Sequence, residues 1–144
     1  MDDNIELLNY IPKNAEMGQD SIDDLLAIVD DPKFKTMLNR QFKEYKNIFD
    51  ESEKLLKDYN AEIKNVNPIH KIEGNIMLKI KTLNDKSPRN ISEMLIQGST
   101  MGTIKMTKRL NQYKNKVNSN VYSLGKKLLH TEEHNIEDCK AFLS

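Results

Sequence analysis

The sequence predicts an all-α fold, a single antiparallel bundle of four long helices over residues 1–144 with a short extra helix between the second and third. Three observations predict it. Apolar residues recur at alternating steps of three and four, the period of one helix face. Glycine and proline are scarce, at five and four residues, and Pro32, Pro68 and Pro88 sit at breaks in that period. Charged residues make up 31% of the chain against 38% apolar, with few aromatics, which favours amphipathic helices over a β-sandwich or a disordered chain.

The first helix carries Leu8, Ile11, Ala15, Gly18, Ile22, Leu25 and Val29 on one face. Pro12 falls inside this pattern, so a kink or a late start is expected. Asp30-Asp31-Pro32 reads as a stop and restart, with Asp31 as N-cap and Pro32 at the first helical position. The second helix follows with Phe34, Leu38, Gln41, Tyr45, Ile48, Ser52, Leu55 and Tyr59 inward. A polar stretch at residues 64–68 ends it. The short helix shows Ile69, Ile72, Ile76, Ile80 and Leu83, and Ser87-Pro88 caps the next one. That third long helix presents Ile91, Met94, Leu95, Gly98, Met101, Ile104 and Leu110, with Gln97 inside the arc. Gly98 and Gly102, each costing roughly 1 kcal/mol in a helix, are expected where another backbone comes close. A loop at residues 115–119 leads into the fourth, whose seam is Val121, Leu124, Leu128, Glu132, Asn135, Cys139 and Phe142.

A chain of 144 residues suits one domain that buries roughly 70% of its unfolded surface. The acidic start, Asp2-Asp3, lacks the basic region of a secretory leader, and no apolar run approaches the ~20 residues of a membrane span. The lone Cys139 fits a reducing compartment, so a cytoplasmic protein with no membrane partner is expected. Net charge is zero but unevenly spread: residues 1–31 hold nine acids and one base, residues 64–127 thirteen bases and three acids. If the first helix lies beside a later basic one, these fields attract. Nucleic acid is not the expected partner. Lys105, Lys108, Arg109, Lys114 and Lys116 have only Tyr113 among them for stacking, and the acidic third would repel a polyanion.

The seam of the fourth helix places Glu132 and Asn135 inward, one turn apart. A Glu-x-x-His there is the metal-binding device of di-iron bundles. The segment Glu132-Glu133-His134-Asn135-Ile136-Glu137 is similar to the fourth helix of bacterioferritin-type proteins, and the whole chain resembles the ferritin-like superfamily, in particular small bacterial relatives of rubrerythrin. The resemblance implies a ferritin-like bundle in which the short helix supplies the length of a crossover. It also implies relic metal positions: Glu16 from the first helix, Gln41 and Glu44 from the second, Gln97 from the third, Glu132 and Asn135 from the fourth. Gln and Asn replace carboxylate and imidazole at three of them. Two divalent irons need several anionic oxygens, which neutral amides do not supply. The expectation is therefore a degenerate, metal-free site with no cofactor, in a protein that leans away from enzymatic work. It would act through association with itself, as a homodimer, or with another helical protein. The alternative is a di-iron carboxylate oxidoreductase or iron-binding protein that uses Glu16, Glu44, Glu132 and a histidine from outside the seam.

Other constellations weigh less. His130 to His134 has the His-x-x-Glu-His spacing of inverzincin peptidases, but both histidines fall on a face that reads as solvated. His70 and Glu73 form a pair at i, i+3 on the short helix. Cys139 lacks a basic neighbour to activate it and reads as a small buried hydrophobe. Met77, Met94, Met101 and Met106, and the inward tyrosines Tyr45 and Tyr59, are read as packing residues.

Overall fold

The structure, a computed structural model, describes residues 2–63 and 80–144. Every regular element among those residues is helical: α1 (Asp3–Leu26), α2 (Pro32–Asp58), α3 (Pro88–Tyr113) and α4 (Ser119–Lys140). None of them is long and apolar enough to cross a membrane. Of the expected short helix, Ile80 is buried and Leu83 packs on the core, whereas Ile69, His70, Ile72, Glu73, Ile76 and Met77 lie outside the described residues.

Local chemistry sets the helix limits. The carboxylates of Asp2 and Asp31 accept from the amides of Asn4 (2.7 Å) and Phe34 (2.9 Å), and the Ser87 hydroxyl accepts from Asn90 (3.2 Å). Each satisfies one of the amides that the first turn leaves unpaired. Pro32 and Pro88 open their helices where no amide is needed. Pro12 does not delay α1, which starts at Asp3 and runs through it. The ring is buried, and what the helix loses is one internal hydrogen bond. At the end of α2, Asn60 takes a left-handed conformation (φ 55°). Its amide donates to Lys57, and that of Ala61 donates to Leu56, which closes the last turn in the Schellman manner.

Two hairpins make up the fold. α1 packs along α2 and α3 along α4, while the hairpins join mainly through α2 against α4 and α1 against α4. α1 and α3 touch only slightly, and α2 and α3 still less. One end of the molecule gathers the starts of α1 and α4 with the finishes of α2 and α3. There the Asn118 amide donates to Asn4 Oδ1 (2.7 Å), its side chain donates to the Tyr59 hydroxyl, and the Tyr113 hydroxyl donates to Glu6 (2.8 Å). At the opposite end Phe34 meets Phe142 edge to face, with ring centroids 5.0 Å apart. Between them α2 and α4 run antiparallel, with Arg40 against Asp138 and Glu51 against Lys127. These exposed pairs contribute at most about 1 kcal/mol each. The apolar seams carry the stability.

The inward lines of α1, α2 and α4 follow the expected faces almost residue for residue. That of α3 does not. Met101 and Ile104 are about half exposed and Gln97 is exposed, while Met106, Leu110 and Tyr113 continue inward from Leu95 by way of Ser99 and Gly102. Each three-residue step falls about 60° short of a full turn, so two in succession from Gly98 carry Ile104 round towards solvent. Between α1 and the basic α3 one contact is a cation over an aromatic ring at one end. Arg109 lies over the Tyr10 ring at 4.6 Å, and further along α1 and α3 diverge.

Glycine makes room at particular side chains. A Cβ on Gly125 would come within 2.9 Å of Leu110, so α3 and α4 approach closely at that turn. A Cβ on Gly18 would sit 2.7 Å from the buried ring of Tyr45. Gly18→Ala is therefore expected to destabilise the protein by about 1–3 kcal/mol through overpacking. Helix propensity alone would stabilise it by about 1 kcal/mol. Urea unfolding decides the sign.

Candidate functional site

Where α1 and α3 diverge, a cleft of about 130 Å³ runs into the bundle. It is lined by the apolar Met17, Ile22, Leu95 and Met101, by the polar Gln41, Tyr45 and Ser99, and by Lys105 and Glu132. Small residues line both sides: Gly18 and Ser21 on α1, Gly98 and Gly102 on α3. Gly102 faces a side chain, not the backbone expected from its spacing. A Cβ there would lie 3.3 Å from the Glu132 carboxyl carbon.

Glu132 is the centre of the site. It is 9% exposed, and among the described residues no base forms an ion pair with it. Burial pushes its carboxyl up to about 7, because the charged form loses hydration that nothing cationic replaces. The hydroxyls of Ser99 and Tyr45 oppose that shift from α3 and α2. Tyr45 is itself pushed well above the ordinary phenol range, first by burial and then by the charge of Glu132, so it stays a neutral donor. Asn135, one turn along α4, donates from Nδ2 to the Tyr45 hydroxyl at 3.2 Å, and its buried Oδ1 has no hydrogen-bond partner. Next to this group Gln41 donates to the Cys139 sulfur at 3.9 Å. Burial pushes that thiol up to about 11, away from the thiolate form a nucleophile needs.

Gln41, Glu132 and Asn135 thus come together, and the other three candidate positions lie elsewhere. Gln97 is on the solvent side of α3. Glu16 lines a groove between α1 and α2 with Asp20, Asp23 and Lys46. Glu44 lines another, between α2 and α4, with His130 and His134. The two histidines are exposed and paired within their own helix, His130 with Glu133 and His134 with Asp138. No group of three or more His, Cys, Asp or Glu suited to a metal ion occurs among the described residues. Among the described residues the cluster holds one carboxylate and no imidazole, fewer anionic oxygens than a di-iron centre draws on.

Ser99 is the residue that sequence reading missed. Its signal is the step from Leu95 to Ser99 to Gly102 to Met106, an alternation of four, three and four that competes with the more apolar line through Met101 and Ile104. No family model, curated protein or solved structure matches the chain.

The proton on Glu132 sets a pH dependence. In the unfolded chain the carboxyl ionises near 4.5, in the fold near 7, so between those values the native state holds the extra proton. Stability from this group is full below about pH 4.5, falls as pH rises, and levels off above 7. The integrated loss is of order 3 kcal/mol. Denaturation across that window should show the decline in the wild-type protein and its absence in Glu132→Gln.

Proposed function

We propose that the chain is a ferritin-like bundle whose metal position has become a hydrogen-bonded polar cluster, and that it works by binding, not by redox chemistry. The ferritin-like part rests on topology. With the finishes of α2 and α3 at one end, those helices run parallel, so α2 ends at the opposite end of the bundle from where α3 begins. A crossover at that place, with α2 beside α4 and not beside α3, is the connectivity of ferritin-like folds.

The observation that carries the binding reading is the solitary Glu132. A metal centre at this site needs several carboxylates directed inward, and here the neighbours are a tyrosine, a serine and two amides, whose donors suit a protonated or singly charged acid. The alternative oxidoreductase would draw on Glu16 and Glu44, which line grooves that share no residue with the cleft. The partner class we propose is a second copy of this chain or another helical protein. The surface offered for it is the exposed Met101 and Ile104 on α3.

Anaerobic loading with ferrous iron followed by gel filtration tests this. Iron well below one per chain, with thermal stability unchanged, is the expected result. Uptake of about two irons per chain, as di-iron bundles hold, overturns the reading. Sedimentation should show a mass that rises with concentration, is insensitive to chelator, and falls to the monomer in Met101→Lys/Ile104→Lys.

A further inference from the structure

The cleft has a chemistry of its own. Engineered apolar cavities of about 150 Å³ admit a molecule the size of benzene, so a space of about 130 Å³ takes a body of that order. Its lining includes the apolar Met17, Ile22, Leu95 and Met101, and Glu132 is the one acid that lines it among the described residues. A carboxylate held out of water without a counter-ion is an incomplete pair. The complement is a single positive charge carried on a small apolar body.

We propose that the cleft between α1 and α3 binds a small primary monoamine, its ammonium group seated against the Glu132 carboxylate and its apolar body held between the methionines of α1 and α3. This rests on the reading of the bundle as metal-free, since a metal ion would claim the same oxygens. A neutral alcohol would leave the carboxylate unpaired, and an organic acid would be repelled by it. The exposed Lys105, also lining the cleft, disfavours a second positive charge at the far end of the ligand, which selects monoamines over diamines. Gly18, Gly98 and Gly102 keep the space open, and a Cβ at Gly18 or Gly102 would press on Tyr45 or on the acid itself.

Binding is linked to protons. The ammonium favours the charged carboxylate, so at pH below about 7 the acid must release its proton to bind, and affinity rises with pH through that value. The other groups on the packed helices do not mimic this. Tyr10 on α1 and Tyr45 on α2 are both raised above the ordinary phenol range, Lys105 of α3 lines the cleft, and Arg109 of α3 lies over the Tyr10 ring.

Benzylamine, benzyl alcohol and benzoate, titrated separately into the full-length protein and followed by amide chemical shifts and calorimetry, test the assignment. Benzylamine is expected to perturb residues of α1 and α3 around the cleft and to bind at least about tenfold more tightly than the alcohol. Its affinity should increase from roughly two pH units below 7 and level off just above that value, while the amine is still protonated. Glu132→Gln should abolish the preference for amine over alcohol, and Gly98→Leu, placed on the cleft wall, should abolish binding while leaving the helical circular dichroism unchanged. Equal affinity for the alcohol, no dependence on pH, full amine binding by Glu132→Gln or by folded Gly98→Leu, or no binding at all would overturn the proposal. Loading with iron separates the two readings. Absent amine binding with iron still well below one per chain removes the amine site and leaves the metal-free bundle. Uptake of about two irons per chain that displaces the amine removes the bundle reading itself.

Discussion

A carboxyl group inside a helical bundle with no cation beside it constrains everything packed around it. Glu132 is tolerated because hydroxyls approach it from two other helices, because Asn135 orients one of those hydroxyls, and because one side remains open to the cleft. Gly102 and Gly18 belong to the same arrangement. The first leaves space for the acid and the second for the ring of Tyr45 that serves it. The slight contact between α1 and α3 follows, since full closure there would strip the remaining water from Glu132 without supplying a new partner.

The polar cluster lies between two apolar layers. Towards one end Leu25, Phe34, Leu38 and Ile91 are buried almost completely, and towards the other Leu8, Ile11, Ile48 and Leu128 are. Hydrophobic burial in these layers holds the helices in register, at roughly 25 cal/mol per Å² of apolar surface. The cluster can then carry a destabilising acid and an orphaned amide oxygen without loss of the fold. A bundle built to maximise stability would place leucine at Glu132 and Asn135.

Much of this was legible in the sequence, and the reason is periodicity. The seam of α4 from Val121 to Phe142 needed only the helical repeat, and so did the caps at Asp31 and Ser87, whose signals are local. On α3 the same logic misled. Two apolar lines compete there, and the line that faces inward is the one with small residues, because its partner is a carboxyl group and not another hydrophobic face. Which carboxylates meet was equally out of reach. Glu16 and Glu44 sit close enough to the seams to be candidates, but a rotation of one position on a helix separates a groove on the outside from the centre. Ser99 lies on the line of small residues, which shows in the sequence only as the four, three and four spacing from Leu95 to Met106.

The cleft lies on the boundary between the α1–α2 hairpin and the α3–α4 hairpin, at the edge where α1 and α3 touch only slightly. α4 is the shared spine of that boundary, in contact with both members of the first hairpin. Access to Glu132 therefore needs no helix to fray and no hydrogen bond within a helix to break. The width of the cleft's entrance is set by packing between the hairpins and not by the ladder of any one helix.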